Sequence, residues 1–417
     1  MFLSTSTYQY QHLRAPTEVR LLKISKPNRQ NILSNFELAQ FPGNGYFPSV
    51  NKDVIGYSIE HVDIESAPSY EAVSYVWGSS NKSHHITLLD GRILPVTASV
   101  AFALPHLAKV CQTGYLWIDQ ITIDQSNVSE RNDQVKVMGQ IYRRTTRCLV
   151  WMDDGQTLDI ESDLELAWDT DAGPEVRRFL QFFRDEEAEQ SPRIAQSASP
   201  TDASFALRKM SSREQSRVRE HLLWFLEHPW FRRTWVFQEF LLPKDSLFLI
   251  RDFQLTREEI KNVFATGFPR SAAWFETFKR KLHLDQGRAI LFQRAPGLEF
   301  LLAVFQSLHV GTPPPWDPHR LSFVHYEALG FTDILNFMAS SQAKYDHDHV
   351  YAFLGLAPFS LRHMTVDYTI PAEEAFAAVT KALIKESRTL DFLDPLPLAD
   401  ISKSNLRLPS WVVNWTV

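Results

Sequence analysis

The sequence predicts an α/β fold built on a parallel sheet, and three observations carry that reading. Runs rich in β-branched and aromatic residues occur at 71–77, 115–119 and 148–152. An amphipathic helical stretch separates the second run from the third, and strand, helix and strand at this spacing form a parallel crossover unit. The runs also lack two-residue alternation, as strands covered on both faces do.

Taken in order, residues 1–65 mix short apolar runs with Pro and Asn and read as a strand-rich lead-in. The first core strand, Glu71-Ala-Val-Ser-Tyr-Val-Trp77, stops at Gly78. His85–Leu89 and Arg92–Val96 flank Asp90-Gly91 and read as a hairpin, because Asp-Gly supplies the positive φ angles of a tight primed turn. An amphipathic helix over 99–110 follows, then Gly114 and a strand Tyr115-Leu-Trp-Ile118 that ends at Asp119. The next helix covers 130–144. Val135, Met138, Ile141 and Tyr142 form its apolar side, and Arg143 and Arg144 suit its negative C-terminal end. Leu149–Trp151 completes the crossover and runs into Asp153-Asp154.

Residues 155–217 read as a helical insertion, with a helix at 174–187 and an exposed Ser/Ala/Pro-rich loop at 190–204. His228-Pro229 then restarts a helix through Trp230–Leu242, since proline suits a first helical turn. Beyond 250 the pattern is mainly helical, and Phe376, Val379 and Leu383 share one stripe. No flexible linker occurs near 243–256, so the C-terminal region is expected to pack on the core. The expected organisation is a lead-in at 1–65, a core domain at 66–245 and a mostly helical region at 246–417.

Composition narrows the function classes. A net charge of −6 and a pI near 6.2 give no electrostatic reason to expect a nucleic acid or an anionic membrane as partner. Two cysteines, Cys111 and Cys148, fit a reducing compartment and are expected to be buried and inert. The N-terminus lacks the pattern of a secretory signal. The longest apolar stretch, Leu298–Val310, is interrupted by Glu299 and Gln306 and falls short of the ~20 residues a bilayer span takes. The chain therefore reads as cytosolic or nuclear, with the cytoplasm the expected location, and without a membrane span. Its 11 Trp and 29 Phe imply either stiff, bulky core packing or a surface awaiting partners. P-loop, G-x-G-x-x-G, G-x-S-x-G, H-E-x-x-H and paired C-x-x-C patterns are absent, so the common nucleotide, hydrolase and zinc readings have no support.

Several residues admit two readings. Asp119, Asp124, Asp153 and Asp154 follow predicted strands, at the edge where open parallel sheets bind ligands. They read as a Mg²⁺ cluster or as ordinary turn and cap residues. Trp77 and Trp117 read as base-stacking platforms or as core. Asp346-His-Asp-His349 reads as a metal pattern on a strand or as a helix start capped by Asp348. No metal is assigned.

Four blocks, in order, resemble the fungal heterokaryon incompatibility (HET) family. They are Tyr70-Glu-Ala-Val-Ser-Tyr-Val-Trp-Gly78; Leu116-Trp-Ile-Asp-Gln-Ile-Thr-Ile-Asp-Gln125 with Glu130-Arg131, Gln134-Val135 and Met138; Arg233-Thr-Trp-Val-Phe-Gln-Glu239; and Asp348-His-Val-Tyr-Ala-Phe-Leu-Gly-Leu356 with Val366-Asp-Tyr368 and Leu408-Pro-Ser-Trp411. Gln120 and Thr122 stand where the family usually has Ala and Cys, and His347 where it usually has Arg. The chain ends soon after Trp411, as a short or truncated member would. The resemblance implies intracellular self/non-self recognition and programmed cell death, with a protein partner or self-association.

The HET core is similar in turn to TIR domains, which implies a flavodoxin-like α/β fold. Trp235-Val-Phe-Gln-Glu239 resembles their W-x-x-x-E helix. That similarity implies an alternative: a NAD glycohydrolase in which Glu239 is catalytic, Trp77, Asp119 and Trp235 line the site, and NAD is substrate. On a continuous helix Arg232, Trp235 and Glu239 share one stripe. A carboxylate there can stabilise an oxocarbenium-like transition state, and nicotinamide leaves as a neutral base, so no general acid is required. The competing reading pairs Glu239 with Arg232 or Arg233 at a helix surface.

Overall fold

The computed structural model describes residues 6–25, 55–152, 225, 228–250, 253–260, 341–357, 361, 364–387 and 406–416. The expected insertion at 155–217, Asp153 and Asp154 lie outside them.

A seven-stranded mixed sheet forms the centre. Its strands are β1 (Glu18–Ser25), β2 (Gly56–Asp63), β3 (Glu71–Tyr75), β6 (Tyr115–Trp117), β7 (Cys148–Trp151), β8 (Ser246–Ile250) and β9 (Phe253–Thr256). A separate hairpin consists of β4 (His84–Thr87) and β5 (Ile93–Val96). The spatial order is β2-β1-β6-β3-β7-β8-β9. The inner strands β6, β3, β7 and β8 run parallel, and antiparallel strands complete the sheet on each side. Within the parallel set the chain order is second, first, third, fourth, the order of flavodoxin-like doubly wound sheets. The chain leaves β3 to one side through α1 (Ala98–Val110), then returns past it through α2 (Asp119–Thr122) and α3 (Val128–Arg144). The strand order therefore reverses between β3 and β7.

Every residue of β3, β7 and β8 is buried, which explains the unbroken apolar runs. Alternate side chains still go to opposite faces. Ala72, Cys148, Val150 and Phe248 pack with the α3 side chains Val137, Met138, Ile141 and Tyr142. Val73, Tyr75, Leu149 and Leu247 pack with Val100, Leu104 and Leu107 of α1. Asn127 starts α3 by accepting the Glu130 N–H on its side chain, and Arg143 and Arg144 end it. Val137 belongs to its buried face, whereas Val135 is only partly buried.

Two local expectations change. The β4–β5 connection is the three residues Leu89–Gly91, not a two-residue primed turn. Gly91 N–H donates to Leu88 O (2.9 Å), Leu88 N–H to Arg92 O (2.8 Å), and Gly91 takes the left-handed φ of 83°. The expected helix Trp230–Leu242 divides into a 3-10 turn, Pro229–Arg232, and α4 (Val236–Leu241), with Arg233 extended between them (φ −75°, ψ 135°). The reason is tertiary. Arg232 O and Thr234 N–H bond to the backbone of Gln342 at 2.5 and 3.0 Å, which takes groups a continuous helix would use.

Segments on either side of the core are tied to it. Arg20 of β1 is fully buried and forks onto Glu130 of α3 (2.5 and 3.0 Å). It also donates to Thr122 O and lies over the Tyr10 ring. Two C-terminal helices, α5 (Asp348–Leu354) and α6 (Ala372–Ser387), pack on the α3 face, with Phe376, Val379 and Leu383 buried as their stripe predicts. Helix α5 approaches α3 so closely that Gly139 and Gly355 meet backbone to backbone.

Candidate functional site

The carboxyl ends of β3 and β6 gather the polar groups. On the α3 face, Ser74 is the polar residue of an otherwise apolar alternation, and it meets α4. Its hydroxyl donates to Glu239 Oε2 and accepts from Trp230 Nε1 (2.6 Å). The Arg233 guanidinium closes on the same carboxylate from the other side in a fork, at 2.9 and 3.1 Å. The break at Arg233 makes this possible, because it turns the side chain back toward the helix that follows it. The Glu239 side chain is 3% exposed and that of Arg233 is 19%, so the pair reaches solvent through the arginine.

Asp119 follows β6 and stands beside this pair electrostatically. Tyr75 OH donates to its Oδ1 (3.1 Å), Trp77 Nε1 to Oδ2 (2.8 Å) and the Gln120 N–H to Oδ1 (2.7 Å). Burial, reinforced by the Glu239 charge, pushes the Asp119 carboxyl up to about 6, against the opposing pull of Arg233 and the Trp77 and Tyr75 hydrogen bonds. Burial would lower the Arg233 pKa, but Glu239 and Asp119 outweigh it and raise it. The arrangement sets a carboxyl group pushed up to about 6 near a buried glutamate that is paired with Arg233.

Of the four residues the sequence singled out, Trp77 and Asp119 are joined by a hydrogen bond, and Glu239 is coupled to Asp119 through charge. Trp235 is directed elsewhere. Its side chain hydrogen-bonds Asp348, which also accepts from Tyr368 OH (2.6 Å). The shared stripe of Arg232, Trp235 and Glu239 is lost with the helix break, and the ion pair of Glu239 is with Arg233, buried instead of superficial. Sequence reasoning missed Ser74, Tyr75 and Trp230. Ser74 carried a signal, as a hydroxyl within a strand read as buried.

Among the described residues, the remaining candidates make contacts within the fold. Trp117 is fully buried and meets Tyr142 edge-on (5.6 Å). The Asp124 carboxylate accepts from the Ser126 N–H (3.1 Å) and hydroxyl (2.6 Å) in a turn. Asp348 begins helix α5, and His347 Nε2 contacts Ile370 O (2.8 Å). Among the described residues no group of three or more His, Cys, Asp or Glu could hold a metal ion. Both cysteines are free and buried. Glu71 lies at the opposite end of β3. Burial raises its pKa, yet hydrogen bonds from Cys111, Arg147 and Thr113 outweigh that and hold it low. Gln238 donates to Ala352 O (2.8 Å), and Gln134 to Glu18 O (3.0 Å). The motif glutamines are thus fasteners between elements.

Together these features define an α/β protein with a flavodoxin-like strand order, a carboxylate–arginine network at the carboxyl edge of its sheet and a helical C-terminal cover. Residues 70–239 match the family described as Heterokaryon incompatibility protein (HET), from the residue before β3 to the networked glutamate itself. The chain carries a HET domain. It is 33% identical over 209 residues to heterokaryon incompatibility protein 6, OR allele, of Neurospora crassa. That match covers 44% of this chain and 29% of the relative, so the chain spans under a third of the relative's length. No solved structure matches the chain. Among the described residues no helix is long and apolar enough to cross a membrane.

Proposed function

We propose that this chain acts in heterokaryon incompatibility, as a cytoplasmic recognition factor whose HET domain sets off programmed cell death through a protein partner or self-association. The observation that carries the reading is the family match over 70–239 together with the incompatibility relative. The test is inducible expression in a filamentous fungus. Growth arrest and cell death are expected from the full chain, and none from a version lacking 70–239. A full chain that accumulates without any growth defect, alone and after fusion with strains carrying different incompatibility alleles, overturns the proposal.

A second reading, NAD cleavage with Glu239 as the catalytic carboxylate, is favoured by one observation. Glu239 bonds to Ser74 near the carboxyl end of β3, at the switch in strand order where open sheets bind ligands. Free nicotinamide from concentrated wild-type protein and NAD, and none from Glu239→Gln, is the expected signature. Equal release from both proteins, or none from either, removes it.

A further inference from the structure

The Arg233–Glu239 pair is built by a segment more than a hundred residues away in sequence. Arg233 is extended because its neighbours are stitched to residues 341–342. Gln342 N–H donates to Arg232 O (2.5 Å), Thr234 N–H donates to Gln342 O (3.0 Å), and the Thr234 and Ser341 hydroxyls share a hydrogen bond (2.7 Å). The following residue, Trp235, bonds to Asp348 at the start of α5. One turn on, Gln238, beside Glu239, donates to Ala352 O (2.8 Å) of the same helix. These hydrogen-bond anchors of the 232–239 stretch all belong to one C-terminal segment.

Helix α5 itself is buried in the core, whereas the stretch 341–348 that leads into it is mostly exposed and is held by separable polar and stacking contacts. Tyr368 OH holds Asp348 Oδ1 (2.6 Å). The Arg131 guanidinium of α3 lies over the Tyr345 and Tyr368 rings, 5.2 and 4.8 Å from their centroids, and its Nε has no hydrogen-bond partner among the described residues. Asn132 accepts the Tyr368 N–H (3.3 Å). The site this stretch protects is closed: the Glu239 carboxylate spends its oxygens on Arg233 and Ser74.

We propose that residues 341–348 are a latch, which in the resting protein clamps Arg233 onto Glu239 and whose release opens the site at the end of β3. The functional half of this inference rests on the incompatibility reading above; the mechanical half does not. The test compares amide hydrogen exchange in full-length wild type, Gln342→Pro and Tyr368→Phe. Gln342→Pro deletes the N–H that bonds Arg232 O, and Tyr368→Phe deletes only the hydroxyl on Asp348, so it spares the fold if the first variant does not. Loss of one such bond, about 1 kcal/mol, should accelerate exchange across 232–242 by roughly five- to tenfold, with β3 and β7 unchanged. The same variants should kill cells at lower expression than wild type. Unaltered exchange at 232–242 in Tyr368→Phe, or acceleration spread evenly over β3 and β7, overturns the latch whatever the cells do. Accelerated exchange confined to 232–242 with unaltered killing keeps the latch and instead overturns the role of this site in cell death.

Discussion

Replacing Gly139 by alanine sets two well-known effects against each other. Gly139 lies within α3, and an alanine in a helix interior normally gains about 0.5–1 kcal/mol over glycine. Here a Cβ would stand 2.8 Å from the Gly355 Cα and 3.3 Å from the Gly355 carbonyl oxygen. Carbon atoms pack best at about 3.5–4.0 Å, and neither atom belongs to a side chain that can rotate away. The end of α5 must move. Overpacking of this sort costs about 1–3 kcal/mol. The shift also loosens the bonds from Arg143 Nη2 to Gly355 O and from Gln238 to Ala352 O, each worth about 1 kcal/mol. The net expectation for Gly139→Ala is a loss of about 2 kcal/mol. Equilibrium urea unfolding followed by circular dichroism should show a lower midpoint with an unchanged slope. An alanine variant as stable as wild type, or more so, would mean that α5 does not press on α3 and would refute the overpacking expectation.

Other expectations follow from the same contacts. Glu130→Ala strands the fully buried Arg20 and should cost about 3–5 kcal/mol in thermal or chemical unfolding, far more than a surface pair would. Asp119 holds its proton up to about pH 6 in the folded protein against an ordinary value of 3.8, so its contribution to stability is fully present below about pH 4 and is lost as pH rises through 6. Wild type should therefore gain up to about 3 kcal/mol from this group between pH 7 and pH 4, and Asp119→Asn should flatten that slope in paired urea titrations. Glu239→Gln removes the negative partner of a partly buried arginine, so it should lower stability by about 1–3 kcal/mol, and its effect on killing must be scored at matched folded-protein levels. Trp230→Phe keeps the aromatic packing but loses the indole donor to Ser74, and should cost about 1–3 kcal/mol in the same unfolding assay.

Much of the core was legible in the sequence because its signals are local. The unbroken runs at 71–77, 115–119 and 148–152 contain the parallel strands 71–75, 115–117 and 148–151, and the stripe Phe376, Val379 and Leu383 became a buried helix face. The site was half legible. Trp77 and Asp119 follow strands whose carboxyl ends any parallel sheet would bring together, and their hydrogen bond is the result. Trp235 was misdirected because helical spacing was assumed across Arg233, and no residue near that position signals a break.

The sequence by itself determined which segments become strands and helices, which faces are apolar and, through its ordered motifs, which family the domain joins. These depend on side-chain periodicity and residue type, which a short window contains. The tertiary structure alone decided that Arg233 folds back onto Glu239, that Arg20 meets Glu130 and that Gln342 interrupts a helix. Each of those depends on hydrogen-bonding groups from distant parts of the chain. Such groups must be satisfied once buried, and the competition among partners is settled only when the layers have packed.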